Sequence, residues 1–521
     1  MKRFTAVVLT LVLVFSFAGA VSAADDVDMS GELKSDLVVN SEEETWYDTE
    51  TFNLMLEKKF GFDADMYLDL EFKSTTQDVF AAPESEESNN LVLHSATTHQ
   101  RKTNVNIDEA YVNYYTENMD WRLGKQEINW GSAYKLNPTS YFNPRDLTVL
   151  KPMDEKKAVK AAKGVYYAPA NIEVSSVVTP FFTTHKAGQE RKLEMMNQFK
   201  TKVAENIAEK DKLSELNDSI KKLNAGIKET NKSPGYEFST LDKLNFSQEN
   251  VESNWLTGEV GVNTVEDNID NTQGGIKVTK RSLMGFDVSA SFYHGRDKLP
   301  VINKQFIEDQ TSSELDKDVK DALAKIEKGL TEIENTGTTD IEMETQIEKI
   351  NNADNNIEIP TEALYPDTNR VGVDVIGDIG DMGVWTEVAY SMYPEDTDWS
   401  TEDNPGRIEA AAGVDYKFEN DLYLVGQTYY QEGRLDSEPD IKAVNLHFEQ
   451  PVFDFHEIKM NAIYEVESET YMVEPQFDYS LADATVLQLG GTYLESEEEN
   501  SSDLISSLGN DRVYARLKVE F

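Results

Sequence analysis

The last eleven residues, Asp511 to Phe521, alternate without a break. Val513, Ala515, Leu517, Val519 and Phe521 fall on one face, and Tyr514, Arg516, Lys518 and Glu520 on the other. This is the period of two that a β-strand imposes. In water an apolar edge strand at a chain end is a liability, because its unpaired backbone invites aggregation. In a bilayer the same strand is useful if it pairs on both sides. Only helices and closed barrels satisfy every backbone polar group in hydrocarbon. Lipid would then take the apolar face and a lumen the charged one.

The other end of the chain points the same way. Lys2 and Arg3 precede an apolar run from Ala6 to Ala18, and Val21-Ser22-Ala23 offers a small-residue cleavage site. This pattern predicts a signal peptide over residues 1–23 and a mature chain of residues 24–521. The run is too short for a membrane-spanning helix. With no cysteine, neither a lipid-anchored cysteine nor a disulfide framework is expected. Mean hydropathy is −0.53, a value a barrel tolerates because only alternate residues meet lipid. The 23 Tyr and 23 Phe suit interfacial aromatic girdles. A net charge of −47 argues against nucleic acid as a partner. It fits a solvated acidic exterior in a saline habitat or a cation-concentrating vestibule.

Alternation recurs along the chain in sets such as Leu33/Leu37/Val39, Met66/Leu68/Leu70/Phe72, Val165/Tyr167, Phe286/Val288/Ala290/Phe292 and Ile408/Ala410/Ala412/Val414/Tyr416. These sets predict an all-β, antiparallel transmembrane barrel of about 18 strands with their apolar members outward. The connections alternate short and long, as periplasmic turns and external loops do. One connection, near Ser468–Glu469, is too short for its external place and leaves the local pairing open. Two insertions break the β pattern, at about residues 186–231 and 304–350. The first carries Leu213, Leu216, Ile220, Leu223 and Ile227 at helical spacing, and the second Leu315, Val319, Leu323, Ile326, Leu330 and Ile333. Both read as amphipathic helices in external loops.

The most distinctive stretch is Trp121-Arg-Leu-Gly-Lys-Gln-Glu-Ile-Asn-Trp130-Gly131, followed by Asn137-Pro138 and Asn143-Pro144. Glycines and Asn-Pro pairs turn it from strand into ordered loop. With Gly124, Lys125, Gln126, Trp130 and Gly131 in place, it resembles large Gram-negative outer-membrane barrels of porin-like type. More distantly it resembles the alginate-export type of channel. The terminal Phe521 likewise resembles the signature read by the barrel-insertion machinery. The resemblance implies that residues of about 124–163 fold into the lumen as a constriction. Nine basic and four acidic residues lie between Trp121 and Lys163, a positive island in an acidic chain. Arg122, Lys125, Trp130 and Arg145 are the expected constriction and solute-binding residues, Arg122 and Arg145 because a guanidinium fork suits carboxylate or phosphate.

The six histidines, His94, His99, His185, His294, His447 and His456, sit in no catalytic or metal-binding motif. The expectation is therefore a non-enzymatic channel of the cell outer membrane without metal or cofactor. It would pass small polar solutes by diffusion, with anionic ones favoured at the loop. Outer-membrane lipid is the expected surrounding partner, and a homo-oligomer is left open. A surface structural or adhesion barrel, whose helical loops dock an envelope or extracellular partner, is the alternative.

Overall fold

A computed structural model describes residues 27–40, 45–79, 98–186, 211–232, 260–262, 265–266, 268–298, 301–302, 324–328, 331, 361–393, 406–433, 440–453, 455–495 and 511–521. The expected signal peptide and most of both expected insertions lie outside these residues. The strands are β1 (Val27–Asn40), β2 (Thr45–Phe60), β3 (Ala64–Val79), β4 (Thr98–Tyr115), β5 (Met119–Gln126), β6 (Val159–Ala168) and β7 (Ile172–Thr179). Next come β8 (Val260–Val262), β9 (Gln273–Leu283), β10 (Phe286–Arg296), β11 (Val301–Ile302), β12 (Thr361–Leu364), β13 (Asp367–Ile379) and β14 (Met382–Met392). The chain finishes with β15 (Gly406–Lys417), β16 (Tyr423–Gln431), β17 (Ile441–Val452), β18 (His456–Glu465), β19 (Thr470–Ala482), β20 (Thr485–Glu495) and β21 (Arg512–Glu520).

Eighteen of these strands form one sheet. Each is antiparallel to the next, β7 pairs with β9, and β10 pairs with β13. The sheet closes because β21 pairs with β1, with Leu33 opposite Val519 and Asp36 opposite Arg516. This is the closed antiparallel barrel that the alternation predicts, and closure removes every edge. A second unit comprises residues 187–265 and 299–366. It contains the small sheet β8–β12–β11 and helix α1 (Asp211–Thr230). On α1, Leu223 and Ile227 are buried at the i, i+4 spacing of an apolar helix face. Residues 324–328 and 331 are also helical, with Ile326 buried.

The barrel is inside out relative to a soluble domain. Leu37, Val39, Leu123, Val278, Val373, Leu446, Val513 and Leu517 are exposed, while Asp36, Asn113, Asp374, Glu387, Arg407, Glu409, Gln427, Asn461 and Glu474 are buried. Neighbours along one strand take opposite fates, as in Asp36–Leu37 or Asn445–Leu446, so the buried polar set faces the lumen. Charges there pair across strands: Arg516 donates to both Asp36 oxygens at 2.6 and 2.9 Å, and Lys518 lies 2.8 Å from Glu32. Such cross-strand pairs stiffen the wall.

Two local readings need correction. Val165 is buried opposite Ser175, so Val165 and Tyr167 share the lumen side. The outward members are Gly164, under the Trp121 ring, and Tyr166. A run of consecutive apolar residues, Val-Tyr-Tyr, gives alternation nothing to distinguish the faces. The short connection near Ser468–Glu469 is a genuine tight hairpin. Glu465 pairs directly with Thr470, and Glu469 takes φ 48° to make the turn.

Phe521 locks the seam. Its N–H donates to Gly31 O at 3.1 Å, and Gly31 N–H donates back at 3.0 Å. Its ring stacks on Phe52 with centroids 5.9 Å apart over the space left by Gly31, where a Cβ would collide with the ring. Deleting Phe521 should cost about 2–3 kcal/mol, from two backbone hydrogen bonds and the half-covered ring. The check is the temperature at which the folded barrel converts to the unfolded band on a semi-native gel. It should fall in the deletion variant, and no change would mean the seam does not depend on this residue.

Candidate functional site: a segment folded across the lumen

Between β5 and β6 the chain leaves the wall at Glu127 and returns at Ala158. The inward segment is therefore residues 127–158, shorter at both ends than the expected 124–163. Lys160 and Lys163 belong to strand β6. Gly131 starts the excursion with φ 83°, and a Cβ there would strike Asn137 and Thr139. Both its sign of φ and the crowding require glycine.

The segment is fastened to the wall on both sides. Near its start, Trp130, Tyr141 and Phe142 pack with Tyr293 of β10. Trp130 and Phe142 lie edge to face at 5.0 Å, and Phe142 and Tyr293 at 5.1 Å. Such geometry adds to plain area burial. Gly275 and Gly372 leave the wall recesses into which these rings fit. Two strands further round the wall, Glu387 of β14 accepts from five donors: Ser132 N, Ala133 N (2.6 Å), Thr139 N (3.1 Å), Ser132 Oγ (3.3 Å) and Thr139 Oγ1 (3.0 Å). Gln427 of β16 accepts from Tyr134 N at 2.7 Å and donates to Tyr134 O and Leu136 O at 2.8 and 3.0 Å. Farther round, Lys151 bonds Gln476 of β19, and Arg512 of β21 donates to Leu150 O at 2.7 Å. Leu136 and Met153 join an apolar cluster with Tyr429, Ile463 and Met472. Strands β16 and β19 lie on the far side of the barrel from β5 and β6 in the strand order, so the segment crosses the lumen.

Of the four expected constriction residues, three have other surroundings than expected. Arg145 is turned into the segment itself: Nη1 donates to Met153 O at 2.6 Å and Nη2 to Lys135 O at 2.5 Å. Trp130 is 3 % exposed within the aromatic cluster. Lys125 pairs with Ala110 and Lys160, on the strand face opposite Arg122, and its Nζ donates to Ile107 O. Residues three apart on a strand cannot share a face, so Lys125 does not join Arg122. Arg122 stays on the lumen face, with Nε donating to Asn113 Oδ1 at 2.8 Å and its guanidinium 4.1 Å from the Tyr111 ring centroid. Lys163 is its register partner. Among the described residues neither Arg122 nor Lys163 has a carboxylate within ion-pair distance.

Asp146 is the segment's acidic anchor. It is 1 % exposed and contacts Lys186 at 2.8 Å, Lys157 at 3.3 Å and Thr148 Oγ1 at 2.5 Å. Burial alone would raise its carboxyl pKa, but the Lys186 and Thr148 hydrogen bonds and the Lys157 charge bring it down to about 2 from an ordinary 3.8. A carboxyl depressed on folding stabilises above its unfolded value and loses that contribution as pH falls through the folded one. The stabilisation is about 2 kcal/mol, present above about pH 4 and lost towards pH 2. The protection of the Leu147 and Thr148 amides against hydrogen exchange, relative to an unfolded peptide at the same pH, should fall over that window in the native protein. In Asp146→Asn it should already be low at neutral pH, and equal protection in both proteins would remove Asp146 from the account.

The sequence pointed to none of the wall acceptors Glu387, Gln427 and Gln476. The available signal was strand alternation, which puts each of them inward. Among the described residues no group of His, Asp or Glu is arranged to hold a metal ion.

The inside-out wall and the segment across its lumen define a class, the transmembrane β-barrel. A family model described as "Protein of unknown function (DUF1302)" matches residues 17–154, which includes most of the inward segment. No curated protein matches the chain. Among solved structures it is similar to Acinetobacter baumannii OccAB2, at 7 % identity and TM-score 0.45 over 95 % of this chain and 98 % of that one. The outer membrane protein opdK of Pseudomonas aeruginosa aligns at 6 % identity and TM-score 0.44, over 95 % and 98 %. The Vibrio cholerae outer membrane protein OmpT, in its trimer form, aligns at 10 % identity and TM-score 0.36, over 95 % and 99 %.

Proposed function

We propose that the protein is an outer-membrane channel through which small polar solutes diffuse. One observation carries this reading: a wall apolar outside and polar inside, with an ordered segment bonded across its lumen. A barrel that served only as an anchor would have no need of a hydrated interior. The expected signal peptide, an apolar belt and a seam closed by Phe521 support the outer membrane as its place.

The residues of the inward segment divide into two roles in this reading. Trp130 and Arg145 hold the segment in shape, one by packing and the other by tying carbonyls together. Arg122 faces the solute, and with Lys163 it gives the narrow region a positive side that favours anions. Swelling of proteoliposomes in isosmotic solutions of sugars of increasing size tests the channel directly. Swelling should occur with the smallest sugars, slow as size increases, and vanish with large dextrans. Vesicles that swell no faster than protein-free ones in every solute would overturn the reading.

A further inference from the structure

Beneath the inward segment, a recess of about 260 Å³ lies between Asn129–Ser132 and the lumen faces of β6, β7, β9, β10 and β13. It is smaller than the sites that take drug-sized ligands. Its charges are not evenly satisfied. Lys277 pairs with Asp374 at 2.8 Å. Arg281 is shared between Glu173 at 2.6 Å and Asp287 at 3.0 Å, so two carboxylates compete for one guanidinium. Both contacts from Arg281 to Glu173 go to Oε2, at 3.1 and 2.6 Å, and among the described residues Oε1 accepts nothing. Lys163, which also lines the recess, has no ion-pair or hydrogen-bond partner among the described residues. Lys163 and Glu173 both line the recess, and among the described residues they form no ion pair with each other. Ser175, 6 % exposed, lines the same recess with its Oγ unpartnered.

From this geometry we infer that the recess is a binding subsite for a small zwitterion, an amino acid or a molecule of that kind. Its carboxylate sits on the Lys163 ammonium, and its ammonium on Glu173 Oε1. A solute with both charges on one carbon can meet the Lys163 ammonium with its carboxylate and, with its ammonium, the Glu173 Oε1 that Arg281 leaves open. A solute with one charge satisfies only one of them and gains one charged hydrogen bond instead of two. The subsite rests on the channel reading, since the recess lies inside the lumen. It makes passage saturable for one chemical class.

The test uses the full-length barrel in planar bilayers, with solute-induced current block by three matched probes. L-glutamine carries both charges, N-acetyl-L-glutamine lacks the ammonium, and L-glutaminamide lacks the carboxylate. L-glutamine should half-block at a concentration about tenfold below either blocked probe, the scale of one charged hydrogen bond. Lys163→Gln should bring L-glutamine to the level of L-glutaminamide, and Glu173→Gln to that of N-acetyl-L-glutamine. Folding of both variants is checked by gel mobility. Equal block by all three probes, or the same L-glutamine preference in both folded variants, overturns the subsite while the channel stands. A protein that conducts no current in any solute overturns the channel reading itself.

Discussion

Glu387→Ala is expected to turn a steady channel into a flickering one with a larger mean conductance. The Glu387 carboxylate accepts from five donors of the inward segment. A hydrogen bond to a charged group contributes about 1.5–3 kcal/mol. Five sharing one carboxylate are coupled and do not simply add, so truncation should cost the segment's anchorage about 3–5 kcal/mol. Gln427 and the Trp130 cluster still hold either side of it, so the segment should loosen rather than leave the lumen. Glu387→Gln keeps one acceptor oxygen and should fall between the two. Single-channel noise reads the effect, and a quiet, unchanged trace for Glu387→Ala would show that the segment is held elsewhere.

Arg122→Glu is expected to shift the reversal potential in a salt gradient towards cation preference. A unit charge about 6 Å from a passing ion contributes about 0.7 kcal/mol in a water-like medium. Reversing it changes the energy by about 1.4 kcal/mol, or about tenfold in relative permeability before salt screening reduces it. The effect should shrink at high salt. Arg145→Ala should move the reversal potential little, because that guanidinium is spent on Met153 and Lys135 carbonyls. It should instead raise current noise. The reverse pattern, with Arg145 governing selectivity and Arg122 silent, would overturn the division of roles.

Strand identity was legible because lipid and lumen impose opposite demands on adjacent residues, and the sequence records both. Leu517–Lys518 and Asn445–Leu446 show it most plainly. The faces failed to read where that contrast disappears, as in Val165-Tyr166-Tyr167. The hairpin at Ser468–Glu469 was obscured for another reason. Length argued against it, and nothing in the residues showed that Glu469 could take a positive φ. The inward segment was legible as an ordered excursion from Gly131 and its Asn-Pro pairs. Its attachments were not, since Glu387 and Gln427 lie some 250 to 290 positions from their partners and one lumen-facing acid looks much like another. Positive charge around Trp121–Lys163 was visible, but the type of residue does not reveal where its charge is spent. Arg145 closes on its own segment, whereas Lys163, one of nine basic residues, has no partner among the described residues.

The most direct test is a planar-bilayer recording of the purified full-length protein beside Glu387→Ala. A stable, roughly ohmic open state in the native protein, with larger and noisier current in the variant, is the predicted result. A barrel that stays closed in both would contradict the account, because neither its polar lumen nor the segment folded across it would then form a passage.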